Sequence, residues 1–115
     1  MPLKMKKFLV LYMSDVSAED QMKNANPDEM KKGMEPWMAW FQKVGMAIVD
    51  QGAPLGNDIH VTKAGSSKAK AHIGGYSILQ AEDMEAVQVL LADHPHFMMD
   101  GNTIEVLELM PMPGM

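Results

Sequence analysis

The chain has 115 residues, 47% of them hydrophobic and 22% charged, which indicates a single globular domain at 1–115 with tails at 1–5 and 111–115, and excludes a disordered chain. Its formal net charge is −5 and it contains no arginine, so bidentate readout of phosphate or guanine is excluded and nucleic acid is not an expected partner. It contains no cysteine, which excludes disulfides, thiolate zinc sites and a cysteine nucleophile.

No apolar stretch approaches the ~20 residues that a membrane-spanning helix needs. The run 8–13 is too short for the apolar core of a secretory signal, so we expect a cytoplasmic protein without a membrane partner. Fourteen methionines are unusual in a chain of this length. Because methionine adapts to irregular spaces, they indicate either filling of a core and interface or the wall of a ligand cavity. Copper binding by thioethers is disfavoured, since the methionines form no tight repeat outside the tail.

The first predicted elements are a strand at 6–13 and a helix that begins near Asn26. Ser17 with Asp20 predicts a short capped helix in the polar stretch between them. Asn26 is itself a strong N-cap, because Pro27 follows at the first helical position and an acidic residue at the third.

The first helix carries an apolar face in which residues recur at spacings of three and four. This face comprises Met30, Met34, Trp37, Phe41, Val44 and Ile48. Pro36 lies inside the run, and a proline inside a helix removes a backbone hydrogen bond. The pattern therefore predicts a kink, or two helices that meet at 33–35, with the main helix ending at 51–52.

The second half of the chain adds three strands and one helix. In chain order the patterns predict a turn at 53–57, a strand at 59–63, a polar hairpin loop at 64–71, a strand at 72–79, a helix at 82–93 and a strand at 103–110. Together with the first strand and helix, the order is β-α-β-β-α-β. This order predicts an α+β domain with the ferredoxin-like fold, in which an antiparallel sheet carries both helices on one face.

The first, third and fourth predicted strands carry apolar residues on both faces. In the first, Phe8 and Val10 point to one side of the sheet while Leu9 and Leu11 point to the other. A strand with one wet face alternates apolar and polar residues, so these strands should be covered on both sides. The two predicted helices cover one side, and a second copy of the sheet is the simplest cover for the other. We therefore expect a homodimer.

Asp93, His94 and His96 form the polar cluster with the widest chemical range. They follow the predicted second helix, whose C-terminus favours a protonated imidazole. In one interpretation a histidine acts as general base and Asp93 orients it; in the other, the histidines only cap the helix and form the turn. No spacing rule points to a third ligand and no nucleotide, zinc or calcium motif is present, so we expect neither a metal site nor a cofactor.

Trp37 and Trp40 lie three residues apart on the first helix, so their rings point in directions about 60° apart. Either both are core residues, or one of them forms an aromatic wall for a planar ligand. Two adjacent glycines at 74 and 75 within a strand predict a bulge, the close approach of another backbone or a ligand, or packing beneath a tryptophan. The predicted ligand-binding residues are Tyr12, Trp37, Trp40, Gly75 and Tyr76.

Six segments, taken in order, resemble the YCII-related family of small proteins. They are KKFLVLY at 6–12, WMAW at 37–40, VDQGAP at 49–54, GGYSIL at 74–79, AEDMEA at 81–86 and IEVLE at 104–108. The likeness covers 6–110, and it rests on the ordered series because no single segment is specific.

The resemblance implies a dimeric α+β barrel. Some members of the family resemble enzymes of the muconolactone-isomerase and dehydrochlorinase type, which use a His–Asp pair in a cavity without a cofactor, and cofactor-free monooxygenases share the barrel. The family histidine on the first helix aligns near Pro36 and Trp37, where this chain has none. The family aspartate falls at His94, one residue after Asp93, and the Asp-Gly-Pro-Phe signature of one branch is absent from 58–72.

Two functions follow from these patterns. The incomplete His–Asp pair and the absence of arginine favour a dimer that binds a small molecule without catalysis. The alternative is a cofactor-independent isomerase, dehydrochlorinase-type lyase or monooxygenase that acts on a small aromatic or lactone-like substrate. In that enzyme His94 or His96 is the base, Asp93 orients it, and Trp37 or Trp40 forms a wall.

Overall fold

The structure is a computed structural model that describes residues 5–15, 26–69 and 72–111. Within these ranges the elements are β1 (Lys6–Met13), α1 (Pro27–Val44), β2 (Ile48–Asp50), β3 (Ile59–Thr62), β4 (Gly65–Lys68), β5 (Ile73–Ala81), α2 (Met84–Leu91) and β6 (Thr103–Glu108). Short 3-10 turns lie at Gly45–Ala47 and Pro95–Met98. The prediction of an α+β chain with antiparallel strands and two helices is confirmed. The short helix predicted at Ser17 and Asp20 lies outside the described residues.

Four strands form one sheet in the order β2-β5-β1-β6, and every neighbouring pair is antiparallel. β1 is a central strand, so Leu9 pairs with Ile78 of β5 on one side and with Leu107 of β6 on the other. β3 and β4 form a separate two-stranded hairpin whose residues are all exposed. The main sheet therefore supplies the frame on which the helices pack.

The core lies between one face of this sheet and both helices. Its buried residues are Phe8, Val10, Tyr12, Leu79 and Ala81 from the strands, and Trp40, Phe41, Val87 and Leu91 from the helices. Burial of each large apolar side chain contributes roughly 1.5–3 kcal/mol. Trp40 also joins the two helices, because its Nε1–H donates to the carbonyl oxygen of Leu90 at 3.0 Å.

The opposite face of the sheet also carries apolar side chains. Leu9, Leu11 and Met13 alternate with the buried residues of β1 and are only partly buried. In the register of the sheet Leu9 lies between Ile78 and Leu107, and Leu107 is 48% exposed. Since both described helices contribute to the core on the first face, this apolar strip has no helical cover in the described part of the chain.

The first helix is one element rather than two. Asn26 caps it as predicted, because its side-chain oxygen accepts the backbone N–H of Glu29 at 2.8 Å. Pro36 lies within the continuous helix Pro27–Val44, so the alternative of two helices that meet at 33–35 is wrong, while the kink stays a prediction.

The same helix ends earlier than its apolar spacing predicts. It stops at Gly45, whose φ of +53° glycine adopts without the steric penalty of a side chain. The predicted end at 51–52 is therefore wrong, and Ile48, predicted on the helical face, is the first residue of β2. The apolar spacing typical of a helix continues past Gly45 by coincidence. The helix ends before this residue because of the backbone conformation of the glycine.

The strand predicted at 59–63 does not join the main sheet. β3 pairs with β4, which occupies part of the predicted loop at 64–71. The turn between them is stabilised locally, since Thr62 Oγ1 accepts the backbone N–H of Ala64 at 3.3 Å. β2 takes the sheet edge beside β5 instead. The bounds of the other predicted strands and of the second helix agree with the structure to within about two residues.

Candidate functional site

A cavity of ≈ 420 Å³ lies between α1, the end of β1, the segment that follows β2 and the start of β5. This volume is in the usual range for small-molecule sites. Its lining within the described residues includes no aspartate, glutamate or lysine. A second hollow of ≈ 560 Å³ lies between α2 and β6, and it is lined by none of the predicted site residues.

One wall of the cavity is an apolar face of α1. Met30, Met34 and Met38 succeed each other along it at intervals of four, with Gly33 and Trp37 between them. Positions three or four apart share one helical face, so these residues form a continuous surface. Met34 is 50% exposed, which leaves its side chain room to adapt. The methionine-rich composition thus supplies an adaptable wall for this cavity.

The opposite wall is the backbone of the segment that follows β2. Glycines allow this segment and β5 to approach each other closely. Gly52 has φ +78°, and a Cβ at this position would lie 1.7 Å from the carbonyl oxygen of Tyr76. A Cβ at Gly75 would lie 3.1 Å from the carbonyl oxygen of Ala53. The Tyr76 N–H donates to that same Ala53 oxygen at 3.3 Å. Two interpretations of the paired glycines are therefore confirmed. One is the close approach of another backbone, and the other is a bulge, because the register shifts between Tyr12, which pairs with Gly75, and Met13, which pairs with Ile73.

Tyr12 contributes its ring to the cavity while its hydroxyl is engaged elsewhere. The hydroxyl donates to Ser77 Oγ at 2.8 Å, and Ser77 donates in turn to the carbonyl oxygen of Gln51 at 2.8 Å. Burial raises the pKa of Tyr12 to about 12, and the hydrogen bond with Ser77 only partly offsets this effect. Tyr12 therefore keeps its proton at neutral pH.

His94 is enclosed by aromatic rings and does not line the cavity. Its ring centroid lies 4.9 Å from that of Tyr12, 4.6 Å from Trp37 and 4.3 Å from Trp40. Its Nδ1 accepts the backbone N–H of His96 at 2.9 Å, so the proton of the neutral ring is on Nε2. Burial, together with the nearby His96, lowers the pKa of His94 to about 4, although Asp93 opposes the change. His94 is therefore a neutral residue of the core.

His96 is the histidine that lines the cavity. Its Nε2–H donates to the carbonyl oxygen of Met13 at 2.9 Å. The side-chain amide of Asn102 lies 3.4 Å from Nδ1 and donates to the backbone oxygen of His96 at 3.2 Å. Both ring nitrogens thus have partners inside the protein, and these partners hold the ring against the end of β1.

The structure divides the predicted site residues into two groups. Those that line the cavity are Tyr12, Trp37, Gly75, Tyr76 and His96. Trp40 and His94 belong to the aromatic core behind it. The carboxylate of Asp93, predicted to orient a histidine, instead accepts a hydrogen bond from Lys43 at the surface, and this contact lowers the pKa of Asp93.

Other lining residues were not among the sequence predictions. Gln51 and Ser14 reach the cavity because the segment after β2 and the end of β1 converge there, which no local pattern indicates. The spacing of Met30 and Met34 predicted a helical face but not that it borders a cavity. Gly33 carried no signal except its place inside a helix.

Two features of other protein classes are absent from the ranges 5–15, 26–69 and 72–111. There, no three or more side chains of the types His, Cys, Asp or Glu are grouped so that they could hold a metal ion. In the same ranges no helix is both long enough and apolar enough to cross a membrane.

Comparison with known proteins adds no assignment: no protein-family model matches the chain, and no curated protein matches its sequence. The resemblance to the YCII-related family therefore stays a prediction, and the geometry of the cavity is the basis for the function.

Proposed function

We propose that this chain binds a small molecule in the cavity, as a homodimer and without a catalytic step. The observation that carries the proposal is a cavity of ≈ 420 Å³ with an apolar helical wall and no aspartate, glutamate or lysine in its lining among the described residues. A binding site requires shape and apolar surface, whereas acid–base catalysis requires a group that is free to exchange a proton with the ligand.

The polar groups near the cavity favour binding over catalysis. The Nε2–H of His96 is held by the carbonyl oxygen of Met13, its Nδ1 has a long contact of 3.4 Å with Asn102, and His94 lies outside the lining. Tyr12 keeps its proton because burial raises its pKa to about 12. Asp93 is engaged by Lys43 at the surface. None of the four is thus poised to accept a proton from a ligand without first losing an existing partner.

A ferredoxin-like domain that pairs as a dimeric α+β barrel is the arrangement we propose for this function. With the β3–β4 hairpin set aside, the elements run β1-α1-β2-β5-α2-β6. In the sheet order β2-β5-β1-β6 each helix connects two strands that are separated by one intervening strand, which supports the split β-α-β arrangement. The apolar strip on the uncovered sheet face supports pairing with a second copy. A dimeric α+β barrel is also what the resemblance to the YCII-related family implies.

Binding is tested by titrating carbon-13 methionine-methyl protein, purified without denaturation, with a library of neutral and charged aromatic fragments. We expect saturable shifts of the methyl signals of Met30, Met34 and Met38, which line the cavity. Met46 is 89% exposed outside the lining and is the internal control. Shifts confined to methionines outside the cavity, or no ligand in the whole library, would contradict the proposal.

A second candidate is a cofactor-independent isomerase, lyase or monooxygenase that acts on a small aromatic or lactone-like substrate. The observation that favours it is the position of His96, which lines the cavity and whose Nδ1 has only a long contact of 3.4 Å with Asn102. A contact of this length is weak, so a ligand that donates a proton to Nδ1 competes with it on favourable terms.

The two candidates separate once a bound fragment is known. An enzyme converts the fragment over time, and His96→Gln stops conversion while binding persists. A binding protein returns the fragment unchanged, and His96→Gln alters only its affinity. Asp93→Asn is the control for a His–Asp mechanism, because the surface pair with Lys43 gives it no role in the cavity.

A further inference from the structure

Gly33 lies in the interior of a helix without a steric reason to be glycine. It belongs to α1, where glycine is less favourable than alanine because it loses more backbone freedom on folding. Among the residues that the structure describes, nothing lies within 4 Å of a Cβ built at this position, and its φ is outside the left-handed region. Gly52, by contrast, is required by the carbonyl oxygen of Tyr76. Packing and backbone conformation therefore leave the glycine at 33 unexplained.

With no side chain at 33, one flank of Trp37 is bare in the described part of the chain. Positions four apart share one face of a helix, so Gly33 is the neighbour of Trp37 on the side toward the start of α1, and a Cβ at 33 would lie more than 4 Å from every described atom of the Trp37 ring. A side chain at 33 would stand in this space beside Met34. Gly33 and Trp37 both line the cavity, so the bare flank opens into it.

The lining also restricts the charge and shape of an occupant. Since the described lining includes no aspartate, glutamate or lysine, a charged ligand would lose hydration there without an ion pair to a side chain of these types. The rings of Trp37 and Tyr12 and the thioether of Met34 favour an aromatic ring, through edge-to-face and sulfur–aromatic contacts.

We propose that Gly33 keeps open a slot beside Trp37 that takes a neutral, planar aromatic molecule. This inference rests on the proposed function, because it assigns a ligand class to the same cavity. Gly33 is then a specificity-determining position: its lack of a side chain makes the helix less stable and makes the flank of Trp37 accessible to the ligand.

Three probes of similar size test the ligand class against the full chain. Naphthol is neutral and planar, naphthoate is planar and anionic at neutral pH, and decalol is neutral but not planar. Their affinities are measured by methionine-methyl titration of the wild type and of Gly33→Ala, Gly33→Leu and Ala39→Leu. Ala39 is exposed on α1 and does not line the cavity, so its substitution adds similar bulk outside the slot.

We expect naphthol to bind the wild type at least about tenfold more tightly than naphthoate or decalol. Gly33→Leu should weaken naphthol binding by about tenfold or more, Gly33→Ala by a smaller factor, and Ala39→Leu not at all. Circular dichroism verifies the fold of each variant, and both Gly33 substitutions should raise the thermal midpoint because they favour the helix.

Each failure has its own signature. Unchanged naphthol affinity in Gly33→Leu would overturn the role of Gly33. Tighter binding of naphthoate or decalol than of naphthol would overturn the ligand class and leave small-molecule binding in place. If no probe shifts the cavity methionines but other library fragments do, the ligand class alone fails; if no fragment does, the binding function fails with it.

Discussion

The Nδ1 atom of His94 accepts the backbone N–H of His96 at 2.9 Å, and this hydrogen bond fixes the proton of the His94 ring on Nε2. Trp37 and Trp40 enclose the same ring, with centroids 4.6 and 4.3 Å away. The Nε2 atom is buried and has no hydrogen-bond partner among the described residues. Protonation of Nδ1 would therefore break the bond to His96 and bury a charge among aromatic rings.

The stability of the fold should fall as the pH drops below neutrality. Burial lowers the pKa of folded His94 to about 4, whereas a histidine in an unfolded chain titrates near pH ~6.5. Between these values the unfolded state binds more protons, so the free energy of unfolding rises with pH in this window. We expect His94 to account for a loss of about 2–3 kcal/mol as the pH falls from ~7 to ~4, after allowance for solvent screening.

Urea unfolding at several pH values measures this contribution as a difference between variants. His94→Phe removes the titration and should flatten the dependence on pH in that window. His60→Gln is the control, because His60 is exposed on the β3–β4 hairpin, and it should keep the wild-type dependence. If His94→Phe shows the full wild-type loss, the buried imidazole is not the source.

Two glycines have similar backbone angles, but their substitution by alanine should lower the free energy of unfolding by very different amounts. Gly52 and Gly101 have φ of +78° and +84°, but a Cβ at Gly101 meets no described atom within 4 Å while one at Gly52 lies 1.7 Å from the Tyr76 oxygen. We expect Gly101→Ala to cost about 1–2 kcal/mol for its left-handed backbone. Gly52→Ala should cost at least about 4 kcal/mol or prevent folding. Urea denaturation measures both, and equal losses would contradict the close approach.

The hydrogen bonds from Tyr12 through Ser77 to the Gln51 carbonyl predict a non-additive pair of substitutions. Tyr12→Phe removes one donor and leaves Ser77 able to donate to Gln51, so it should cost about 1 kcal/mol. Ser77→Ala leaves the buried Tyr12 hydroxyl without a partner and should cost about 2–3 kcal/mol. The double variant should cost less than the sum of the two, since phenylalanine needs no partner. Additive losses in urea denaturation would show that the two hydroxyls do not interact.

Local patterns were sufficient for most of the fold but misleading at the junction predicted at 33–35, at the end of the first helix and in the loop predicted at 64–71. The apolar run in 6–13 and the cap at Asn26 depend on neighbouring residues, and both the strand and the start of the helix were predicted correctly. The spacing that ran on to Ile48 concealed β2, because Gly45 ended the helix through its backbone conformation. The position of β3 depends on which strand occupies the edge of the main sheet. Local sequence patterns do not indicate which of the candidate strands takes that edge.

The site residues that could be predicted are those whose position is set by their own helix or strand. Trp37 follows the face of α1 into the cavity, whereas Trp40 is drawn into the core by its hydrogen bond to Leu90 of α2. His94 and His96 are alike in sequence, and only packing against β1 separates them into a core residue and a lining residue. These assignments depend on contacts between distant segments, which the sequence alone does not specify.

The uncovered sheet face predicts a homodimer that a single charge can dissociate. Leu107 is 48% exposed in the single chain and pairs with Leu9 in the register of the sheet. In a twofold interface, Leu107→Lys places one charge from each copy against apolar surface of the other. We expect light scattering to give twice the chain mass of 12.7 kDa for the wild type. The dissociation constant of the dimer should rise by a factor on the order of 100 or more in Leu107→Lys.

Val89→Lys is the matched control for this substitution. Val89 is 75% exposed on α2, away from the uncovered sheet face, so a charge there should leave both the fold and the mass unchanged. A stable, folded wild-type monomer of 12.7 kDa would contradict the homodimer. Dissociation by Val89→Lys but not by Leu107→Lys would locate the interface on α2, because only a substitution inside the interface buries a new charge.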